Sequence, residues 1–274
     1  MSCISLISSE IVNAVLSDNK SHHFRIIPYN LAPGSQNMAF DRFFSRICTI
    51  KSDPVIRFYG WTPYCISIGR HQNEDILNID RIRESGYDYV KRPTGGRAIF
   101  HANELTYSVV MPRHLSDHRA LYIYMHNLIK SALNDLGYAV VMDEGKNILP
   151  RIRQDAVDFP CFTRSAFSEI QFNGKKVVGS AQRIYPNSVL QHGSILIGSE
   201  HENISNFLVG EPRQFSLIKQ ELKNNTVCLK QIKPEKILPE KVTKSIVKQL
   251  ELRENISVYF KNISKSEMET SRLY

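Results

Sequence analysis

The chain lacks the residues that build metal or disulfide scaffolds. Its five cysteines (Cys3, Cys48, Cys65, Cys161, Cys228) are odd in number and scattered, with no CxxC pair and no Cys/His cluster. Neither a zinc site nor a disulfide framework is expected, and no metal. Free thiols fit a reducing compartment, so a cytoplasmic protein is expected. No run approaches the ~18 consecutive apolar residues of a membrane-spanning helix, which argues against a membrane role. Met1–Asn19 is fairly apolar, but it has no basic start and contains Glu10, Asn13 and Asp18, so it reads poorly as a signal peptide. The N-x-S/T triplets at Asn203, Asn255 and Asn262 then read as by-products of a chain rich in Asn and Ser. GxGxxG and GK[ST] loops are missing too, which removes the usual dinucleotide and Walker signatures.

What is present is ordinary globular composition: 274 residues, 42% hydrophobic and 23% charged. That length can bury a proper core without staples. The net charge is +8, yet Lys and Arg are spread along the chain without a basic run. A nucleic-acid partner therefore has no motif to support it, and a basic surface serves equally to attract an acidic protein.

Phe24–Tyr29 reads as a first strand, preceded by an extension over Met1–His23. Pro33-Gly34-Ser35 gives a turn and a cap for a helix from about Gln36, with Phe40, Phe43, Phe44 and Ile47 on one stripe. Strands are expected over Val55–Trp61, Cys65–Ile68, Asp88–Arg92, Ala98–Phe100 and Leu105–Met111. An amphipathic helix covers about Asp117–Leu136, closed by Gly137. Tyr138–Met142 resumes as a strand, and Asp143–Phe159 reads as a polar loop. Asn173-Gly174 between Ala166–Phe172 and Lys175–Gly179 is a strong hairpin signal. Ser194–Ile197 makes a further strand, and a helical part of about 211–274 ends the chain. The expectation is an α+β fold with mostly antiparallel sheets flanked by helices, in a single catalytic domain over 24–274.

Few residues stand out for chemistry. In Arg92-Pro93-Thr94-Gly95-Gly96-Arg97 two glycines permit positive φ and close backbone approach to a ligand, with a cation on either side. Taken alone, a tight turn with solvated arginines accounts for it as well. Cys161 follows Phe159-Pro160 near Arg151, Arg153 and Arg164, which would favour a thiolate nucleophile; a small buried hydrophobe is the plain alternative. One of Lys175 and Lys176 must face inward, because they are adjacent in a strand. His101 and His192 are candidate bases or satisfied loop histidines.

The motifs in order carry more than any one of them. They are Asn37-Met38-Ala39-Phe40-Asp41, Ser67-Ile68-Gly69-Arg70 with Gln72, Arg92–His101, Lys175-Lys176-Val177-Val178-Gly179-Ser180-Ala181-Gln182-Arg183, and His192-Gly193-Ser194. Together they resemble the biotin/lipoate protein ligase superfamily, over roughly Phe24 to Gly198. Cys161-Phe162, with Ser165 and Glu169 ahead of the hairpin, resembles the LipM-type octanoyltransferases, in which the nucleophilic cysteine sits at this place. Lipoate-protein ligases and octanoyl amidotransferases are the near relatives. One departure is that the family often has His-Asp where this chain has His101-Ala102-Asn103.

The resemblance implies a biotinyl/lipoyl ligase-like catalytic domain with Cys161 and Lys176 as catalytic residues. Arg70, Arg92, Thr94, Gly95, Gly96, Arg97, His101, Gly179, Ser180, Ala181, His192 and Gly193 would bind substrate. The implied reaction moves octanoyl from octanoyl-acyl-carrier protein, through a Cys161 thioester, to a lysine of a lipoyl domain, such as that of a glycine cleavage H protein or a dehydrogenase E2 subunit. No cofactor is required on this route; ATP and Mg would be needed by a ligase. The seven buried methylene and methyl carbons of an octanoyl chain at ~0.8 kcal/mol each give roughly 5–6 kcal/mol, enough to select chain length.

Overall fold

A computed structural model of the chain describes residues 21–143 and 169–274. Eight strands form one sheet in the order β11-β1-β2-β6-β10-β9-β8-β7. They are β1 (His22–Ala32), β2 (Val55–Trp61), β6 (Glu104–Pro112), β7 (Val141–Met142), β8 (Ile170–Phe172), β9 (Lys175–Ile184), β10 (Ser188–Leu196) and β11 (Ile256–Phe260). A second sheet has the order β4-β3-β5, from β3 (Cys65–Ile68), β4 (Asp88–Lys91) and β5 (Ile99–His101). Six of the nine strand pairings are antiparallel, as the sequence reading expects; β1 with β2, β1 with β11 and β3 with β4 are parallel.

Strand alternation sorts the large sheet into two faces. Ile26, Val109 and Val189 pack on α3 (His118–Asp135) and α6 (Pro239–Glu251). Their neighbours Ile27, Val110 and Leu190 pack on α1 (Gly34–Ile47), where Phe40, Phe43 and Phe44 provide the apolar stripe. Ile47, counted with that stripe, is 44% exposed. The small sheet makes its own cluster, in which Ile66, Ile68 and Phe100 pack against Ile204 and Phe207 of a short 3-10 segment, Glu200–Phe207. Four further helices complete the order: α2 (Ile79–Glu84), α4 (Pro212–Asn225), α5 (Leu229–Ile232) and α7 (Lys265–Ser271).

Local signals explain most boundaries. Asp117 caps α3 through the backbone N–H groups of Arg119 and Ala120, and Gly137 ends it at φ 80°. Asn173 and Gly174 both take positive φ, as a two-residue hairpin requires. Other expectations need correction. α1 starts at Gly34 after Pro33, with no side-chain cap from Ser35. Ala139 takes φ 49°, so pairing starts only at Val141 rather than Tyr138. Gln191, His192 and Gly193 lie inside β10, not in a loop before it. The C-terminal part contains β11, which joins the main sheet beside β1, and β1 itself includes His22 and His23 of the presumed extension. Among the described residues no helix is long and apolar enough to cross a membrane.

Candidate active site

The Gly-Gly segment leaves β4 and folds under the small sheet. Gly96 takes φ 94°, and the loop lies so close to Gly69 that a Cβ there would meet the Gly96 carbonyl oxygen. The buried Arg92 guanidinium holds this loop. It donates to the carbonyl oxygens of Gly95 at 2.9 Å and Arg97 at 2.7 Å, and to Ser67 Oγ at 3.1 Å. Arg92, expected to bind substrate, thus holds the loop and also borders the cavity.

Two carboxylate–histidine–hydroxyl chains then tie the loop to the sheets. Asp41 sits on α1 one turn after Asn37 and points at β2, where Arg57 donates to it at 2.6 Å. Tyr59 donates to Asp41 at 3.2 Å, and His192 Nδ1 lies 2.9 Å from it. Burial alone would raise the Asp41 carboxyl; the His192 hydrogen bond and the Arg57 charge outweigh it and hold the group below its ordinary range. Burial pushes His192 down, so its Nδ1–H faces the carboxylate and Nε2 accepts from the Thr94 hydroxyl at 2.7 Å. In the second chain His101 Nδ1 lies 2.8 Å from Glu104, and its Nε2 lies 2.7 Å from Ser67 Oγ. Thr106 and Ser194 also donate to Glu104, and against the penalty of burial this company keeps it ionised. The carboxylate partner of His101 is therefore Glu104, three residues on. Trp61 stacks on the His101 ring with centroids 4.1 Å apart.

Beside these lies a cavity of about 120 Å³, several times the room one water needs by the same measure. Met38, Tyr59, Trp61 and Ile99 supply apolar wall; Gly179, Ser180, Ala181 and Gly193 line the β9–β10 side. Lys176 reaches it buried, paired with Glu169 at 2.7 Å. Lys175 faces the other way and donates to the Lys223 carbonyl, so Lys176 is the inward lysine. Of the other expected binding residues, His101 and His192 line the cavity, whereas Arg70 is exposed and meets the loop through its backbone N–H to the Thr94 carbonyl. Thr94, Gly95, Gly96 and Arg97 shape the loop behind the wall and do not line it. Cys161 lies outside the described residues.

Sequence reasoning missed Arg57, Glu104, Tyr107 and His126. Charged or polar residues inside strands and a helix otherwise apolar on that face, at Arg57 in Val-Ile-Arg-Phe-Tyr and at His126 in α3, were the available signal. Among the described residues no group of three or more His, Cys, Asp or Glu side chains is arranged to hold a metal ion.

The family model of the lipoyl protein ligase A/B catalytic domain matches residues 33–251. The chain is 36% identical over 179 residues to a protein of Symbiobacterium thermophilum named octanoyltransferase LipM, covering 64% of this chain and 65% of that one. It is 34% identical to the protein of that name from Clostridioides difficile, over 67% of this chain and 69% of the relative. The Bacillus subtilis relative, also so named, is 28% identical over 80% of this chain and 81% of its own length. In fold the chain is similar to a bipartite lipoate protein ligase from Thermoplasma acidophilum, at TM-score 0.73 and 17% identity, over 92% of this chain and 91% of that one. A lipoate-protein ligase A solved with ATP gives 0.70 and 18%, over 92% and 93%. The protein belongs to the lipoyl protein ligase A/B catalytic-domain family of acyl-transferring enzymes.

Proposed function

We propose that this chain is an octanoyltransferase of lipoate biosynthesis. It takes octanoyl from octanoyl-acyl-carrier protein as a thioester on Cys161 and passes it to a lysine amine of a lipoyl domain, such as that of a glycine cleavage H protein or a dehydrogenase E2 subunit. The observation that carries the reading is the buried Lys176 ammonium beside Glu169 at an apolar-walled cavity. A fixed cation there would stabilise a thiolate and, in turn, the charge that develops on the carbonyl oxygen of the acyl group. The names of the relatives at 34–36% identity support octanoyl as the group moved. Cys161 stands eight residues ahead of Glu169 in the sequence.

The cycle needs no external energy source. The Cys161 thiolate attacks the donor thioester and the carrier's thiol leaves, an exchange between like bonds. Amine attack on the enzyme thioester gives an amide, which is downhill. The apolar wall of Met38, Trp61 and Ile99 would shelter the chain, and the +8 charge would steer acidic carrier and lipoyl domains to the surface.

Intact-mass measurement after incubation with octanoyl-acyl-carrier protein tests this. The expected result is an octanoyl adduct that is absent in Cys161→Ser. Full acyl transfer by that variant with strict ATP dependence would instead establish a lipoate-protein ligase.

A further inference from the structure

Transfer to an amine requires a group that takes the amine's proton. Lys176, as an ammonium, has three donors and no acceptor. His192 and His101 each have one nitrogen on a carboxylate and the other on a hydroxyl that serves the loop. One imidazole has a different connection. His126, on the sheet-facing side of α3, lies with Nε2 2.8 Å from Ser180 Oγ, and Ser180 lines the cavity.

The hydrogen bonds around Ser180 have a determined direction. Gln182 Nε2 donates to the backbone carbonyl of His118 at 2.7 Å, an acceptor only, so the Gln182 amide orientation is fixed. Its second N–H goes to Gln191 Oε1 at 2.8 Å. Gln191 must then turn its NH₂ to the Tyr107 hydroxyl, also at 2.8 Å. Tyr107 accepts there, and burial pushes its phenol up to about 12, so it keeps its own proton and donates it to Ser180 Oγ at 2.8 Å. Ser180 is left with one lone pair and one proton, shared between His126 and the cavity. Gly193 makes this possible: a Cβ there would sit 2.4 Å from Ser180 Oγ and 2.9 Å from Tyr107 Cε1. The Tyr122 ring, one turn before His126, packs against the imidazole at 4.1 Å.

We propose that Ser180 and His126 form the proton relay for the amine-transfer step. The inference rests on the octanoyl-transfer reading above. As the acceptor lysine nitrogen bonds to the acyl carbon, its proton passes to Ser180 Oγ while the Ser180 proton passes to His126 Nε2. The C–S bond then breaks, sulfur leaves as a thiolate, and the His126 proton returns through Ser180 to restore the thiol. Atoms and charge balance: thioester and amine become amide and thiol. Tyr107, Gln191 and Gln182 are positioning residues that keep Ser180 from donating backwards.

Splitting the two half-reactions tests the relay. Enzyme loaded with octanoyl-acyl-carrier protein is followed by intact mass, then mixed with a lipoyl domain under single-turnover conditions. In Ser180→Ala the transfer step should slow by about 100-fold, the usual size of a proton-transfer contribution, while acylation changes far less. The solvent deuterium isotope effect on transfer should vanish with it. Ser180→Thr should retain both, and Tyr107→Phe should lose up to about tenfold, one neutral hydrogen bond. Wild-type transfer by Ser180→Ala overturns the relay. So does an equal loss in both half-reactions, which would assign Ser180 to holding the acyl group. If Ser180→Ala does not fold, a Tyr107→Phe variant with an unaltered transfer rate and isotope effect counts against the relay. If wild type forms no adduct, the octanoyl-transfer reading falls; octanoyl-adenylate then serves as donor, and equal lysine acylation by wild type and Ser180→Ala overturns the relay separately.

Discussion

The two sides of the cavity use polar groups differently. On the side of α1 and the small sheet, hydrogen-bond directions are set by ionised carboxylates: Asp41 fixes His192 and through it Thr94, and Glu104 fixes His101 and through it Ser67. Arg92 closes the arrangement onto the carbonyls of the Gly-Gly loop. On the β9 side the polar groups lining the cavity include the Lys176 ammonium and the Ser180 hydroxyl. The first side is built to keep its shape and the second to meet changing charge. Both borrow from a single strand, since in β10 His192 and Ser194 point to one face while Gln191 and Gly193 serve the other.

The sharpest test of the difference is Lys176→Met. Loss of one preorganised donor to developing charge costs about 10²–10³ in rate. Removing one partner of a buried pair costs about 3–5 kcal/mol of stability. A Lys176→Met/Glu169→Gln double variant should regain much of the stability and none of the transfer activity. Denaturant unfolding and single-turnover assays read the two effects; joint recovery would mean that Lys176 belongs to the holding side.

Asp41→Asn is the counterpart. It leaves the Arg57 guanidinium, 2% exposed, without its carboxylate and frees His192 to turn. The expected loss is again about 3–5 kcal/mol in stability. Activity per folded molecule at saturating donor should fall by less than the loss in Lys176→Met, with most of the change in KM. A kcat loss as deep as that of Lys176→Met would remove the distinction between the sides.

The holding side was the less legible in sequence. The Gly-Gly loop and the Asn-Gly hairpin follow from local chemistry, positive φ and turn type; strand alternation turns one of Lys175 and Lys176 inward, and the resemblance selects Lys176. Arg57 and Glu104 do not follow from local chemistry, because their partners lie on other elements, and a charged residue inside a strand looks like an exposed one until the opposite layer is known. Misplacing His192 had the same origin. Gln191-His192-Gly193 is polar and contains glycine, so it reads as a loop, yet it is the centre of β10 because the sheet gives each polar side chain a buried partner. Arg92 combines two roles, since its guanidinium holds the loop's own carbonyls and also lines the cavity.

A smaller effect comes from behind the holding side. His201, in the 3-10 segment that packs on the small sheet, meets the Thr226 hydroxyl at 2.8 Å, and burial lowers its pKa to about 4. Unfolded, it would titrate near 6.5. Between those values the unfolded chain binds the proton and the folded one does not, so stability falls as pH drops through this window. From pH 7 to pH 5 the histidine contributes a loss of about 2 kcal/mol. Asp41 and Glu104, both held below their ordinary range, stay charged throughout and add nothing there; their contributions disappear only at lower pH. Urea unfolding of His201→Gln at the two pH values should show this share removed. An unchanged difference would shift the acid sensitivity to His192, within the holding side itself.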